Sequence, residues 1–371
     1  MLRLNADWLP CSKSCQLFVL QAFDDGSTVA CNITLYKHPG LTGRFESVAI
    51  ANVVAFAGAQ NAIWRTFRRV FASNTSPILD FSISITAAPS GLRYRMSTVN
   101  PTLEAEYNNR VLVPDHPAIF ERWRRDSLNF RETVSCTLDV AYGIESRHRL
   151  DLFHAKNPRG TVIFIHGGYW RSLDKSYFSF VARRFIDAGL SVAMINYRLC
   201  PSVPISDVVE DCRQALAWII ANGSNHNLPV DRIALAGHSA GGHLVAMLYA
   251  TDWQQRQCDI SCIIGGMALS GVYDLAPLRD CSMNADLAID DFTVCAASPI
   301  ELEPTLTVPL HLAVGAGESD AFLTQSRQLA ARWPQICDNP EEVASANHFT
   351  VVDFFAQPTH PIFLRVLRLF N

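Results

Sequence analysis

The stretch Gly237-His238-Ser239-Ala240-Gly241-Gly242 follows the apolar run Ile233-Ala-Leu-Ala236 and opens the run His243-Leu-Val-Ala-Met-Leu248. Read together they describe a short buried strand, a sharp turn and a helix. Gly-x-Ser-x-Gly at such a junction is the pattern of a nucleophile elbow. A strained turn lifts the serine above the sheet, and small neighbours let strand and helix pack closely. Ser239 is therefore the candidate nucleophile. The pattern also occurs in idle glycine-rich turns, so its meaning depends on what surrounds it.

Moving outward, the chain alternates between strand-like and helix-like segments. Residues 133–142 and 148–155, separated by Gly143, predict an opening hairpin. Thr161–Ile165, residues 191–196, Ile263–Leu269 and residues 310–314 are short and almost wholly apolar, as strands buried on both faces are. Between them, Tyr177, Phe178, Val181, Phe185 and Ile186 recur at helical spacing. So do Val208, Val209, Cys212, Ala215, Leu216, Ile219 and Ile220, with Ser206 as the expected N-cap and Gly223 just past the end. Residues 362–370 read as a closing helix. This alternation predicts an α/β fold with a mostly parallel central sheet flanked by helices.

A serine hydroxyl is a weak nucleophile at neutral pH and needs a base within reach and an acid to orient that base. Downstream of Ser239, Gly315-Ala-Gly-Glu318-Ser-Asp320 forms a turn at the carboxyl end of a predicted strand, where such folds keep their chemistry. Glu318 and Asp320 are candidate acids there, and Asp274 in Ser270-Gly-Val-Tyr-Asp274 is a third. His348 in Ala346-Asn-His-Phe349 is the candidate base, because it completes the order serine, acid, histidine. Upstream, His166-Gly167-Gly168-Tyr169-Trp170 ends a buried strand. Its glycines would expose N–H groups to an oxyanion, and the amide of Ala240 would complete the hole.

Composition narrows the classes. Among 371 residues 49% are hydrophobic, enough for a large buried core, and the net charge of -4 offers no attraction for nucleic acid or an anionic membrane. Eleven cysteines fall at irregular spacings with no Cys-x-x-Cys, so neither a metal site nor a disulfide framework is expected. Reduced thiols point to the cytoplasm. Residues 47–64 are free of charge but interrupted by Asn52, Gln60 and Asn61, which argues against a membrane span. Residues 1–95 carry nine Lys+Arg and five Asp+Glu, against 22 and 30 in the remainder. They read as an N-terminal extension outside the functional protein, with residues 96–371 as the catalytic domain.

Taken together, the His-Gly-Gly-Tyr-Trp string, the Gly-His-Ser-Ala-Gly-Gly elbow, Ser270-Gly-Val-Tyr-Asp-Leu275, Glu318-Ser-Asp and Asn347-His-Phe resemble the kynurenine formamidase (arylformamidase) family of the α/β-hydrolase fold. The resemblance covers residues 96–371. It implies hydrolysis of N-formyl-L-kynurenine to L-kynurenine and formate, with Ser239, Glu318 and His348 as triad, Gly167, Gly168 and Ala240 as oxyanion hole, and no metal or organic cofactor. Several relatives carry aspartate where this chain has Glu318, which bears on the identity of the acid. Tyr169, Trp170 and Phe349 are expected either to flank the substrate or simply to pack. The partner is a small molecule rather than nucleic acid or membrane, and a homodimer is left open. The competing readings are a broad carboxylesterase of the His-Gly-Gly group and a catalytically silent binding protein.

Overall fold

A computed structural model describes residues 99–371 with their side chains. Before them it describes only the backbone of Leu9–Pro10, Cys15–Asp24, Ser27–Tyr36 and Ala49–Val53, which pair antiparallel in one sheet. The chain divides into two compact units, Met1–Ser97 and Thr98–Asn371. The uncharged stretch 47–64 lies outside the described residues, apart from the backbone of Ala49–Val53.

The second unit is built on an eight-stranded sheet: β1 Cys136–Ala141, β2 Arg149–Phe153, β3 Thr161–Ile165, β4 Ser191–Ile195, β5 Ile233–His238, β6 Ile263–Leu269, β7 Leu310–Gly315 and β8 Glu341–Val343. In space they run β8-β7-β6-β5-β3-β4-β2-β1. From β4 to β8 every pairing is parallel, and β1 and β2 join as the expected antiparallel hairpin. Strand side chains alternate between two cores. Ile163, Ile165 and Leu235 face one, while Val162, Phe164, Ala234 and Ala236 face the other.

Helices cover both faces. Ala240–Tyr249, Ile205–Asn222 and Asp320–Arg332 supply Leu244, Val208 and Phe322 to the first core. His116–Arg131, Ala182–Asp187 and Pro361–Arg368 supply Trp123, Phe185 and Phe363 to the second. In chain order the elements used below are α1 Pro101–Tyr107, α2 His116–Arg131, α3 Ala182–Asp187, α4 Ile205–Asn222, α5 Ala240–Tyr249, α6 Asp320–Arg332 and α7 Pro361–Arg368. Asn100 caps α1, its side chain accepting from the Thr102 and Leu103 amides.

Two local expectations change. The helix read through Tyr177 and Ile186 is broken into the tight turns Lys175–Tyr177 and Ser179–Val181 before α3 begins. α4 starts at Ile205 with Pro204 at its cap position, so Ser206 lies inside the helix rather than capping it. Gly223 keeps right-handed helical angles and runs on into a short 3-10 turn, which ends at left-handed Asn227. Among the described residues no helix is long and apolar enough to cross a membrane.

Candidate active site

The turn between β5 and α5 holds Ser239 at φ 56° and ψ −121°, a conformation that costs a non-glycine residue energy and that neighbouring packing must hold. The glycines permit that packing. A Cβ on Gly237 would run into the Gly241 carbonyl, and one on Gly241 would run into the carbonyl of Ile165 in β3. α5 can thus sit directly on the sheet, with Ser239 at its head and 97% of that residue's surface covered.

His348 comes from the loop after β8. Its Nε2 lies 2.9 Å from Ser239 Oγ, and its Nδ1 lies 2.7 Å from Glu318 Oε2. Facing a carboxylate, Nδ1 carries the ring proton and donates it, which leaves Nε2 to accept from the serine hydroxyl. Glu318 sits in the turn after β7 with its side chain fully buried. Its second oxygen accepts from Ser270 Oγ at 2.5 Å and from the Gly315 amide at 2.7 Å. The carboxylate therefore has a donor for each oxygen, as a buried charge requires.

The other candidate acids lie elsewhere. Asp320 is exposed at the first turn of α6. Asp274 uses Oδ1 to accept from the Ala276 amide at 2.8 Å, a turn role.

Gly167 and Gly168 follow β3. A Cβ on Gly167 would fall within 2.9 Å of the Ser239 Cβ, so the glycine backbone passes directly beside the serine. Gly168 adopts φ +121°, a region suited to glycine. Neither amide donates to a backbone carbonyl among the described residues. Ala240 is the first residue of α5, where the amide has no intrahelical acceptor. These N–H groups belong to the two chain segments that meet at Ser239.

A cleft opens over these groups, lined by Ser239, His348, Tyr169, Phe349, Phe120 and Trp123 among others. Phe120 and Trp123 belong to α2, which is pinned to the segment after His348. Arg122 reaches Asp353 Oδ2 at 2.6 Å, and Trp123 Nε1 donates to Asp353 Oδ1 at 3.0 Å. Phe120 meets Phe349 edge-on at 5.0 Å between ring centres. Tyr169 lines the cleft, and its hydroxyl donates to the Tyr107 carbonyl at 2.6 Å. Trp170 does not line it. That side chain is fully buried in the core, its Nε1 donating to His243 Nδ1 at 3.2 Å.

Sequence reasoning passed over Ser270, whose hydroxyl steadies the Glu318 carboxylate, and the cleft walls from α2. The i, i+3 aromatic pair Phe120 and Trp123 was the available signal for those walls. It also passed over a structural part for His238. Its Nε2–H donates to the His348 carbonyl at 2.7 Å, holding the loop that carries the His348 ring. Burial pushes His238 down to about 3, so the ring stays neutral. Among the described residues no cluster of three or more His, Cys, Asp or Glu is arranged to hold a metal ion.

The BD-FAE family matches residues 150–282. The kynurenine formamidase of Danio rerio is 29% identical over 273 residues, covering 71% of this chain and 89% of its own. That of Drosophila melanogaster is 30% identical over 214 residues, covering 54% of this chain and 69% of its own. A probable isoprenylcysteine alpha-carbonyl methylesterase of Oryza sativa is 37% identical over a shorter span, 38% of this chain and 36% of its own. Among solved structures, a Silicibacter sp. TM1040 protein with a provisional thioesterase assignment superposes at TM-score 0.64 with 30% identity, covering 72% of this chain and 98% of its own. Esterase B of Lactobacillus rhamnosis superposes at TM-score 0.54 with 20% identity, covering 70% and 96%, a likeness of fold. The chain is a hydrolase, and it belongs to the kynurenine formamidase family of the α/β-hydrolase fold.

Proposed function

We propose that this hydrolase cleaves N-formyl-L-kynurenine to L-kynurenine and formate, with Ser239, His348 and Glu318 as its catalytic triad. The observation that carries the reading is the continuous line from Ser239 Oγ through the His348 ring to Glu318, with contacts of 2.9 and 2.7 Å. Ser239 Oγ attacks the formyl carbon while His348 Nε2 takes its proton, and Glu318 stabilises the imidazolium that forms. The amides of Gly167, Gly168 and Ala240 hold the oxyanion, each aimed donor contributing ~3 kcal/mol to the transition state. His348 then protonates the departing aryl amine, leaving a formyl ester on Ser239. A water activated by the same imidazole releases formate. The scheme calls on no cofactor. Tyr169 and Phe349 supply aromatic surface for the anilide ring, while Trp170 meets Tyr169 edge-on from the core at 6.0 Å.

The test is kcat/KM for N-formyl-L-kynurenine beside that for p-nitrophenyl butyrate, together with Ser239→Ala. The formyl anilide should be strongly preferred, and the variant should lose about 10⁴- to 10⁶-fold in kcat. The methylesterase relative supports a second reading, an esterase of broader acyl range. A strong preference for the butyrate would select that reading instead.

A further inference from the structure

Two polar groups line the cleft with donors to spare, Asn109 buried and Arg110 exposed. Asn109 is 3% exposed and lines the cleft, yet its Nδ2 has no hydrogen-bond partner. A buried amide left unpaired is destabilising unless something in the cleft accepts from it. Beside it, Arg110 also lines the cleft and pairs with no carboxylate among the described residues. Its Nη2 donates to Ser172 Oγ at 3.0 Å. Burial of part of the Arg110 side chain, and after it the charge of Arg171 in the same cleft, pulls the guanidinium below its usual value, although Arg171 also pairs with Asp286 at 2.6 Å. An anion bound here would relieve both the repulsion and the unpaired amide.

The position of this pair relative to the chemistry is set by hydrogen bonds. Arg110 bonds to Ser172 Oγ, and Ser172 Oγ donates to the Gly168 carbonyl at 2.9 Å. The guanidinium is therefore two hydrogen bonds from Gly168, which directly follows the glycine that passes beside Ser239. Ser239 and Arg110 line one cleft, so a leaving group that fills the cleft from Ser239 can reach Arg110.

We propose that Arg110 and Asn109 form a subsite for a carboxylate on the leaving-group side of the substrate, so that the site selects acylated aryl amines that are also amino acids. This rests on the formamidase reading for the identity of the acyl bond. The fork of the guanidinium suits a carboxylate, and the Asn109 amide adds a further donor.

The experiment compares two substrates that differ only in the carboxylate, N-formyl-L-kynurenine and its decarboxylated analogue N-formylkynuramine. Parent, Arg110→Gln, Arg110→Lys and Asn109→Ala are assayed on both. The parent should favour the carboxylate by about tenfold or more in kcat/KM, and Arg110→Gln should bring that ratio near unity, mainly through KM. Arg110→Lys should keep an intermediate ratio, because it retains the charge without the fork, and Asn109→Ala should lower the ratio less than Arg110→Gln does. A ratio near unity in the parent, or one unchanged in Arg110→Gln, overturns the proposal. A misfolded variant loses both substrates alike and leaves the ratio as it was, so Arg110→Lys and a melting curve accompany the assay. If neither formyl anilide is turned over, the formamidase reading fails. The subsite is then read from 4-acetoxyphenylpropionate against 4-ethylphenyl acetate, where an unchanged ratio in Arg110→Gln again overturns it.

Discussion

Glu318→Gln changes one atom of a fully buried side chain, and its effect can be worked from three contacts. Oε1 accepts from both Ser270 Oγ and the Gly315 amide, while Oε2 faces His348 Nδ1. Glutamine has one acceptor oxygen and one NH₂ group. If the NH₂ took the Oε1 position it would confront the Gly315 N–H, which cannot turn, and leave two buried donors opposed at about 1–3 kcal/mol. The oxygen therefore stays with Ser270 and Gly315, and the NH₂ faces His348. Nδ1 must now accept, so the ring proton moves to Nε2, against Ser239. In that tautomer the imidazole cannot take the serine proton. Loss of the orienting acid in a triad lowers kcat by about 10⁴-fold, near 5.4 kcal/mol of barrier. Because the substitution is isosteric, the melting temperature should move by only a few degrees, roughly the effect of one charged hydrogen bond in a domain of this size. The assay is single-substrate kinetics on N-formyl-L-kynurenine with thermal melting of the same samples. A kcat within about tenfold of the parent in a folded variant would refute the assignment. So would a larger loss from Asp320→Asn or Asp274→Asn, whose side chains do not reach the imidazole.

Gly241→Ala drives a methyl group into the Ile165 carbonyl, a backbone atom that cannot swing aside. It should cost about 2–3 kcal/mol and lower the melting temperature by roughly 4–12 °C, and an unchanged melting curve would mean that α5 can shift outward freely. Burial pushes His166, His238 and His243 down to about 4, 3 and 4 from an ordinary 6.5, so all three fold neutral. The unfolded chain gains protons at these positions as pH falls below 6.5, so stability should decline between about pH 6.5 and 4. At pH 5.5 the loss is about 1.4 kcal/mol per histidine, about 4 kcal/mol in all, and a denaturation midpoint flat from pH 7.5 to 5.5 would contradict it. A chain beginning at Met96 should retain the kcat/KM of the full chain, as residues 1–95 contribute none of the groups assigned to the reaction. Loss of activity or of the folded state would return the first segment to the functional protein.

The strands were legible because the centre of a parallel sheet excludes polar side chains from both faces. Ile233-Ala-Leu-Ala236 and Thr161–Ile165 had no other physical reading once glycine-rich turns followed each. β8 was not legible. Glu341–Val343 is three residues long with two acids at the sheet edge, where one face meets water and the backbone needs only one neighbour. The break before α3 was hidden for a different reason. Apolar residues at helical spacing record which face is buried, and successive 3-10 turns between Lys175 and Val181 bury nearly the same face.

The acid shows most clearly where pattern ends and geometry begins. Order along the chain admitted Glu318, Asp320 and Asp274, preferred in that order, because each follows a strand at the carboxyl edge of the sheet. The distances separate them through chain direction. Glu318 lies inside the turn, with Oε1 held by Gly315 and by Ser270 from the neighbouring strand end. Two residues later, Asp320 has already entered α6 and points away. The extra methylene of glutamate, relative to aspartate, is what lets a carboxylate anchored this early in the turn reach Nδ1 at 2.7 Å. Glu318→Asp should therefore pull the carboxylate back by about 1.5 Å, one carbon–carbon bond, and break either its contact with His348 or those with Ser270 and Gly315. An aspartate at this position that retained full kcat would show that the turn itself can move, and that the length of the acid is not what positions the imidazole.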